Sequence, residues 1–155
     1  MFNNQNIWHQ IFKFSKSILA YNMVNKSKKI LTEISAGELL DKISILEIKL
    51  KKIQDKSNQK EINKEYKILK RAQKSNIKLN EKSINLFKEL KNINLKLWDI
   101  EDKVRIFEKD KNFNETFVQL AREIYFNNDR RAKIKLEINK IFKSNITEIK
   151  KYANY

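Results

Sequence analysis

The chain has 155 residues, with one glycine, no proline, no cysteine and a formal net charge of +15. The absence of cysteine excludes disulfides, zinc–thiolate sites and thiol nucleophiles. His9 is the only histidine, which excludes a histidine-based triad and a multi-histidine metal site. The scarcity of glycine and proline disfavours β-sandwiches, Rossmann folds and phosphate-cradling loops. We therefore expect an all-α protein without a metal or cofactor.

The positive charge has two interpretations. Lysine far outnumbers arginine, which occurs only at positions 71, 105, 122, 130 and 131, and asparagine and isoleucine are also abundant. Lysine, asparagine and isoleucine all have AT-rich codons, so codon bias explains the composition. Nucleic-acid binding by bulk charge is the weaker alternative, because lysines spread along a chain without interleaved arginine and aromatic residues are a poor signature of it.

Residues 1–27 differ from the rest, since no acidic residue precedes Glu33. The segment reads as a basic amphipathic helix with Trp8 and Phe12 on its apolar side. Three interpretations stay open: it packs on the rest of the protein, it contacts a membrane surface, or the true start is Met23. It lacks the features of a secretory signal, and it contains no apolar run long enough to span a bilayer. We divide the chain into this N-terminal extension and a single helical domain over 28–155, and we expect it in the cytoplasm or at the periphery of the inner membrane.

A short extended segment is predicted near residues 29–34. Ser35 and Glu38 then form a capping-box pattern that opens a helix. This helix carries an apolar stripe of alternating four- and three-residue steps, Leu39, Ile43, Leu46, Leu50 and Ile53. We expect it to end near Asp55–Asn58, with Lys56–Asn58 as a loop.

A second helical stretch is predicted over residues 59–109. Its later half carries an unbroken heptad, Leu86, Leu90, Ile93, Leu97, Ile100, Val104 and Phe107. The pattern thins at Ser75–Asn80, where we expect either a break or an exposed part of one helix about 75 Å long. A turn at Lys109–Asn112 leads to a last helix that runs to about Lys143, and a tail follows. The predicted fold is an antiparallel helical bundle or long helical hairpin, coiled-coil-like.

The last helix has polar residues where its apolar stripe should continue, at Asn127 and Arg131. A buried polar group needs a partner, and candidates lie on the other helices. The candidate ligand-binding residues are Glu38, Asp41, Lys42, Trp98, Glu101, Asp102, Arg105, Asn128, Asp129, Arg130, Arg131 and Lys135. They predict either an interhelical pocket for an anionic or sugar-like ligand or a buried ion-pair network that fixes helix register. No residue is assigned a catalytic role.

Four strings of the sequence are familiar together: Ile34–Lys42, Ile45–Lys49, Leu97–Asp102 and Asn127–Ala132. With the ending Glu148–Tyr152, they resemble a bacterial domain-of-unknown-function family, number 6165, over roughly residues 29–155. The resemblance implies an association with surface-polysaccharide synthesis and sugar transfer. It implies no catalytic residue.

Three functions are therefore weighed. The first is a helical interaction module that binds a protein partner or self-associates through its heptads, as an accessory to glycan assembly. The second is a small ligand-binding protein or enzyme acting on an anionic or sugar-like metabolite through the interhelical pocket. The third is nucleic-acid binding by basic charge, which predicts a steep salt dependence. The sequence leaves enzymatic activity undecided.

Overall fold

The computed structural model describes residues 30–151. In that part of the chain there are four α-helices and no strand, which confirms the predicted all-α class. The helices are α1 (Ala36–Lys52), α2 (Lys56–Asn76), α3 (Glu81–Lys109) and α4 (Glu115–Phe142). Residues 30–35 are non-helical, in line with the expected lead-in. The predictions for the extension over 1–27 fall outside the described residues.

Helix α1 is the centre of the bundle. It contacts α2, α3 and α4, and α3 and α4 also pack against each other. The middle heptad positions are buried in this arrangement: Ile43 and Leu90 are fully buried, and Leu97 is nearly so. The outer positions Leu86, Val104 and Phe107 are half-buried. The middle parts of the apolar stripes predicted from the sequence are therefore buried between helices of the same chain. Self-association through these stripes stays a prediction.

The cap of α1 forms only partly as expected. Ser35 is the N-cap, and its hydroxyl accepts a hydrogen bond from the Glu38 amide at 3.2 Å. The Glu38 carboxylate, which a capping box would direct to the Ser35 amide, pairs instead with the ammonium group of Lys135. A charged partner outcompetes a neutral amide for a carboxylate, and this pair joins α1 to α4.

The predicted loop at Lys56–Asn58 is wrong. Asp55 is the N-cap of α2, with its carboxylate accepting from the Asn58 amide at 2.8 Å, so these residues form the first helical turn. An aspartate followed by polar residues is as consistent with a helix start as with a loop. The turn between α1 and α2 is consequently only three residues long, 53–55.

The helix is interrupted between α2 and α3, which confirms the break that was one of the two alternatives for Ser75–Asn80. Ile77 follows the last residue of α2 and is buried. Asn80 and Ser83 form a reciprocal capping box that starts α3. The single long helix is excluded, because residues 77–80 are non-helical and Ile77 has an extended backbone.

The C-terminal end of α4 closes on the start of α1. Lys143 adopts the left-handed conformation with φ of 50°, a common helix stop that here lacks the usual glycine. The Ser144 hydroxyl then accepts from the Ala36 amide at 3.1 Å. This contact brings the tail beside the first turn of α1. None of the four helices is long and apolar enough to cross a membrane.

Candidate functional site

A buried lysine lies where the tail, α1 and α4 meet. The Lys135 side chain is 8% exposed, and its ammonium group pairs with Glu38 and with Glu148, the latter at 3.0 Å. Glu38 comes from the first turn of α1 and Glu148 from the tail. The three side chains thus connect segments that are far apart in sequence.

The two carboxylates decide the ionisation of this lysine. Burial lowers the pKa of Lys135, but its hydrogen bonds to Glu38 and Glu148 raise it by more, so the pKa lies above its ordinary value. The hydrogen bond from Lys135 in turn lowers the pKa of the Glu148 carboxyl. The pair therefore favours the charged forms of both the Lys135 ammonium and the Glu148 carboxylate.

A pocket of about 220 Å³ opens beside this triad. Its wall contains three lysines and three acidic residues, together with a short apolar strip and one amide. The lining residues are Glu38, Asp129, Ala132, Lys133, Lys135, Leu136, Asn139, Glu148 and Lys150. The formal charge of the wall is balanced, and Ala132 and Leu136 supply its aliphatic part.

The close approach of α1 to α4 shapes the inner end of the pocket. The Gly37 amide donates to the Asn139 side-chain oxygen at 2.7 Å. A Cβ on residue 37 would lie 2.6 Å from the Lys135 carbonyl oxygen, so the helices meet where only glycine fits. This explains the one glycine of the chain as a packing requirement. It also fixes the position of Lys135 relative to Glu38.

A second polar cluster lies deeper between α1, α3 and α4. The Asn94 amide nitrogen is 2.7 Å from the Asp41 carboxylate and 2.7 Å from the Ser44 hydroxyl. Arg131 donates to the Asn94 oxygen at 3.3 Å. Asp41, Ser44 and Asn94 are all buried, and no buried side-chain nitrogen or oxygen in the described residues lacks a hydrogen-bond partner. The arrangement suits a network that fixes the relative positions of three helices.

The rest of the polar interruption in α4 has local partners. Asn127 and Asn128 donate to the carbonyl oxygens of Glu123 and Ile124, one turn back on their own helix. Arg130 pairs with Glu89 of α3 at 2.5 Å on an exposed surface. Of the string from Asn127 to Ala132, Asp129 and Ala132 reach the pocket.

The α3 candidates do not reach the pocket. Arg105 pairs with Glu101 and Asp102 of its own helix, and Arg105 and Asp102 are exposed. Trp98 is half-buried. The expected convergence of this group with Asn128 and Arg131 does not occur.

The antiparallel register of α3 and α4 explains the separation. Lys96 contacts Glu123, and Phe107 lies 6.4 Å, ring centre to ring centre, from Phe117. Residues 98–105 therefore lie opposite the first half of α4. Position 94, where Arg131 binds, is roughly 16 Å along the axis from Arg105. Lys42 also points elsewhere, since it pairs with Glu65 of α2 at 3.7 Å.

Four polar residues of the pocket wall are absent from the sequence candidates: Lys133, Asn139, Glu148 and Lys150. Glu148 lies in a non-helical tail, where periodicity gives no information about contacts. Asn139 lies one helical turn from Lys135 on α4, and this spacing was the signal that could have identified it. No group of three acidic or histidine side chains that could hold a metal ion occurs in the described part of the chain.

A comparison with protein families identifies the family of the chain. A family model described as a family of unknown function (DUF6165) matches residues 30–155. No curated protein and no solved structure matches the chain. The family resemblance inferred from the sequence strings is confirmed over nearly the whole range expected for it.

Proposed function

The chain belongs to the family of unknown function DUF6165, and we propose that it binds a small hydroxyl-rich, sugar-like metabolite in the pocket beside Lys135. One observation carries the proposal: a buried lysine between two glutamates forms part of the wall of a 220 Å³ pocket. Such fixed charges position donors and acceptors without further reorganisation on binding.

The balance of charge favours a neutral or zwitterionic ligand over a polyanion. Lys133, Lys135 and Lys150 offset the carboxylates of Glu38, Asp129 and Glu148 in the wall. A phosphate-rich ligand would meet three carboxylates without a surplus of cations. A sugar presents hydroxyl groups to both charge types and a ring face to an aliphatic surface, here Leu136 and Ala132.

The size of the pocket sets an upper limit. Pockets for drug-sized ligands begin at about 300 Å³, so 220 Å³ suits a molecule of one sugar ring. Sugar transfer and surface-polysaccharide synthesis, which the family resemblance implies, would supply such molecules. An accessory role in glycan assembly, through a protein partner, stays a prediction in the same context.

A thermal-shift screen of the full chain with monosaccharides, amino sugars and their phosphates tests the proposal. Binding to the folded state raises Tm with ligand concentration. We expect the neutral or amino sugars to raise Tm. Leu136→Trp, which places an indole in the pocket, should abolish the shift.

The matched control is Leu95→Trp. Leu95 is a similarly exposed leucine on α3 (39% against 36% for Leu136) and lies away from the pocket. This variant should keep the ligand-induced shift of the wild type. The proposal is wrong if no member of the panel raises Tm, or if both tryptophan variants retain the shift equally.

A further inference from the structure

Helix α2 presents a straight row of basic side chains to solvent. The row has six members. At 100° per residue, the other five lie within about 40° of Lys60 around the helix axis. The row consists of Lys56, Lys60, Lys64, Lys67, Arg71 and Lys74, all exposed. From the first to the last it spans about 27 Å along the axis.

The opposite face of α2 is already occupied. Tyr66 and Leu69 pack toward the core, and Gln73 is buried. These residues lie about 180–240° around the axis from Lys60. The apolar face of α2 is thus used against α1, and the basic row lies on the outer side of the helix.

The acidic residues of α2 are segregated from the row. Glu61 and Glu65 lie about 100° and 140° around the axis from Lys60. Glu65 pairs with Lys42 of α1, and Glu61 pairs with Lys64. Codon bias raises the number of lysines but does not place them on one line. The row is therefore a feature of α2 beyond the general composition.

We propose that this basic row is a docking surface for an anionic lipid membrane. A straight row whose tips share one side can reach a flat surface along its whole length. Each lysine near an anionic leaflet contributes attraction of similar size, without insertion of apolar groups. Charge complementarity is the basis of the assignment, since Lys56, Lys60, Lys67 and Lys74 have no ion-pair partner in the described residues.

Nucleic acid fits the same row less well. A duplex curves away from a straight helix that lies outside it. Inside a groove, the backbone phosphates would flank the helix and meet Glu61 and Glu65 on one side. The row also lacks aromatic side chains for base stacking and has a single arginine for base edges.

The test uses the full chain with vesicles of phosphatidylcholine alone or mixed with phosphatidylglycerol, measured by co-sedimentation. The variant Lys60→Gln/Lys67→Gln/Lys74→Gln removes three charges from the row. The control Lys82→Gln/Lys88→Gln/Lys103→Gln removes three exposed charges from α3, outside the row. Both variants keep residues 1–29, so any contribution of that segment is constant.

We expect the wild type to bind the anionic vesicles at low salt and to leave neutral vesicles in solution. At about 1 kcal/mol per lysine, the row variant should lose on the order of 100-fold in partition coefficient. The control variant should lose only a few-fold. Molar salt should release the wild type, because the screening length falls to about 3 Å.

Several results would overturn the proposal. Equal loss in the two variants would assign binding to bulk charge, and equal binding to neutral vesicles would assign it to apolar insertion. Failure of the wild type to bind anionic vesicles would remove the docking surface. If duplex DNA binds the wild type more tightly than anionic vesicles do, and the row variant loses that binding, the partner is nucleic acid and not a membrane. Circular dichroism spectra of both variants establish that they fold.

Discussion

Replacing Gly37 by alanine probes the contact that brings α1 against α4. A Cβ at residue 37 would lie 2.6 Å from the Lys135 carbonyl oxygen and 2.8 Å from the Asn139 side-chain oxygen. The first of these is backbone in the middle of a helix and cannot rotate away. The two helices must therefore move apart, or the first turn of α1 must shift.

The magnitude follows from three opposing contributions. Alanine in place of a helical glycine is worth up to about 1 kcal/mol in propensity. Overpacking costs about 1–3 kcal/mol, and weakening the buried bond from the Gly37 amide to Asn139 costs about 1–3 kcal/mol more. The sum is a net loss of about 1–6 kcal/mol, and with mid-range values we expect Gly37→Ala to lower the free energy of unfolding by about 3 kcal/mol.

Urea denaturation followed by circular dichroism measures this change. Asn63→Ala is the control, because residue 63 is an exposed position in the middle of α2 where alanine should be neutral or slightly stabilising. A Gly37→Ala protein as stable as the wild type would refute the close approach of α1 and α4. It would also remove the explanation for the single glycine.

Three further predictions concern the polar contacts. Lys135→Met should lower the free energy of unfolding, measured by urea titration, by about 1–3 kcal/mol. This is less than the cost of breaking a fully buried pair, because the Glu38 and Glu148 side chains are 35% and 46% exposed and water can solvate them. An unchanged stability would contradict the pairing. Because the pKa of Glu148 is lowered in the fold, its contribution to stability is present above its ordinary pKa and is lost as the pH falls through the lowered value. Glu148→Gln should therefore flatten the acid side of a plot of unfolding free energy against pH. Identical plots for the variant and the wild type would argue against the contact. Asn94→Ala should lower the free energy of unfolding, measured by thermal and urea unfolding, by about 2–3 kcal/mol. The reason is that Asp41 and Ser44 lose a buried hydrogen-bond partner. A loss below about 0.5 kcal/mol would mean that water replaces the amide.

The helices were largely predictable because their signals are local. The stripe through Leu90 and Leu97 predicted the buried face of α3, and Ser35 located the start of α1. The first turn of α2 was not predictable, since Asp55 followed by polar residues fits both a loop and a cap. The break near Ile77 was narrowed to two alternatives, and tertiary burial of Ile77 decided between them.

The site was less predictable because it depends on register. The polar interruption of α4 located Asp129 and Lys135 in the pocket wall, and Glu38 opposite them. An antiparallel bundle was predicted, but the sequence could not fix the register that sets Glu123 beside Lys96 and places Arg105 away from the pocket. Glu148 lay outside any periodic pattern. Contacts between helices and a non-helical tail require the folded chain.

The most direct test of the central claim maps ligand binding onto the folded chain. The best ligand of the thermal-shift screen is titrated into ¹⁵N-labelled full-length protein, and amide shifts are followed by NMR. The account predicts changes at Asp129–Asn139, Glu38 and Glu148–Lys150, with α2 unchanged. Shifts confined to other surfaces, or no shift at saturating ligand, would contradict a binding site beside Lys135.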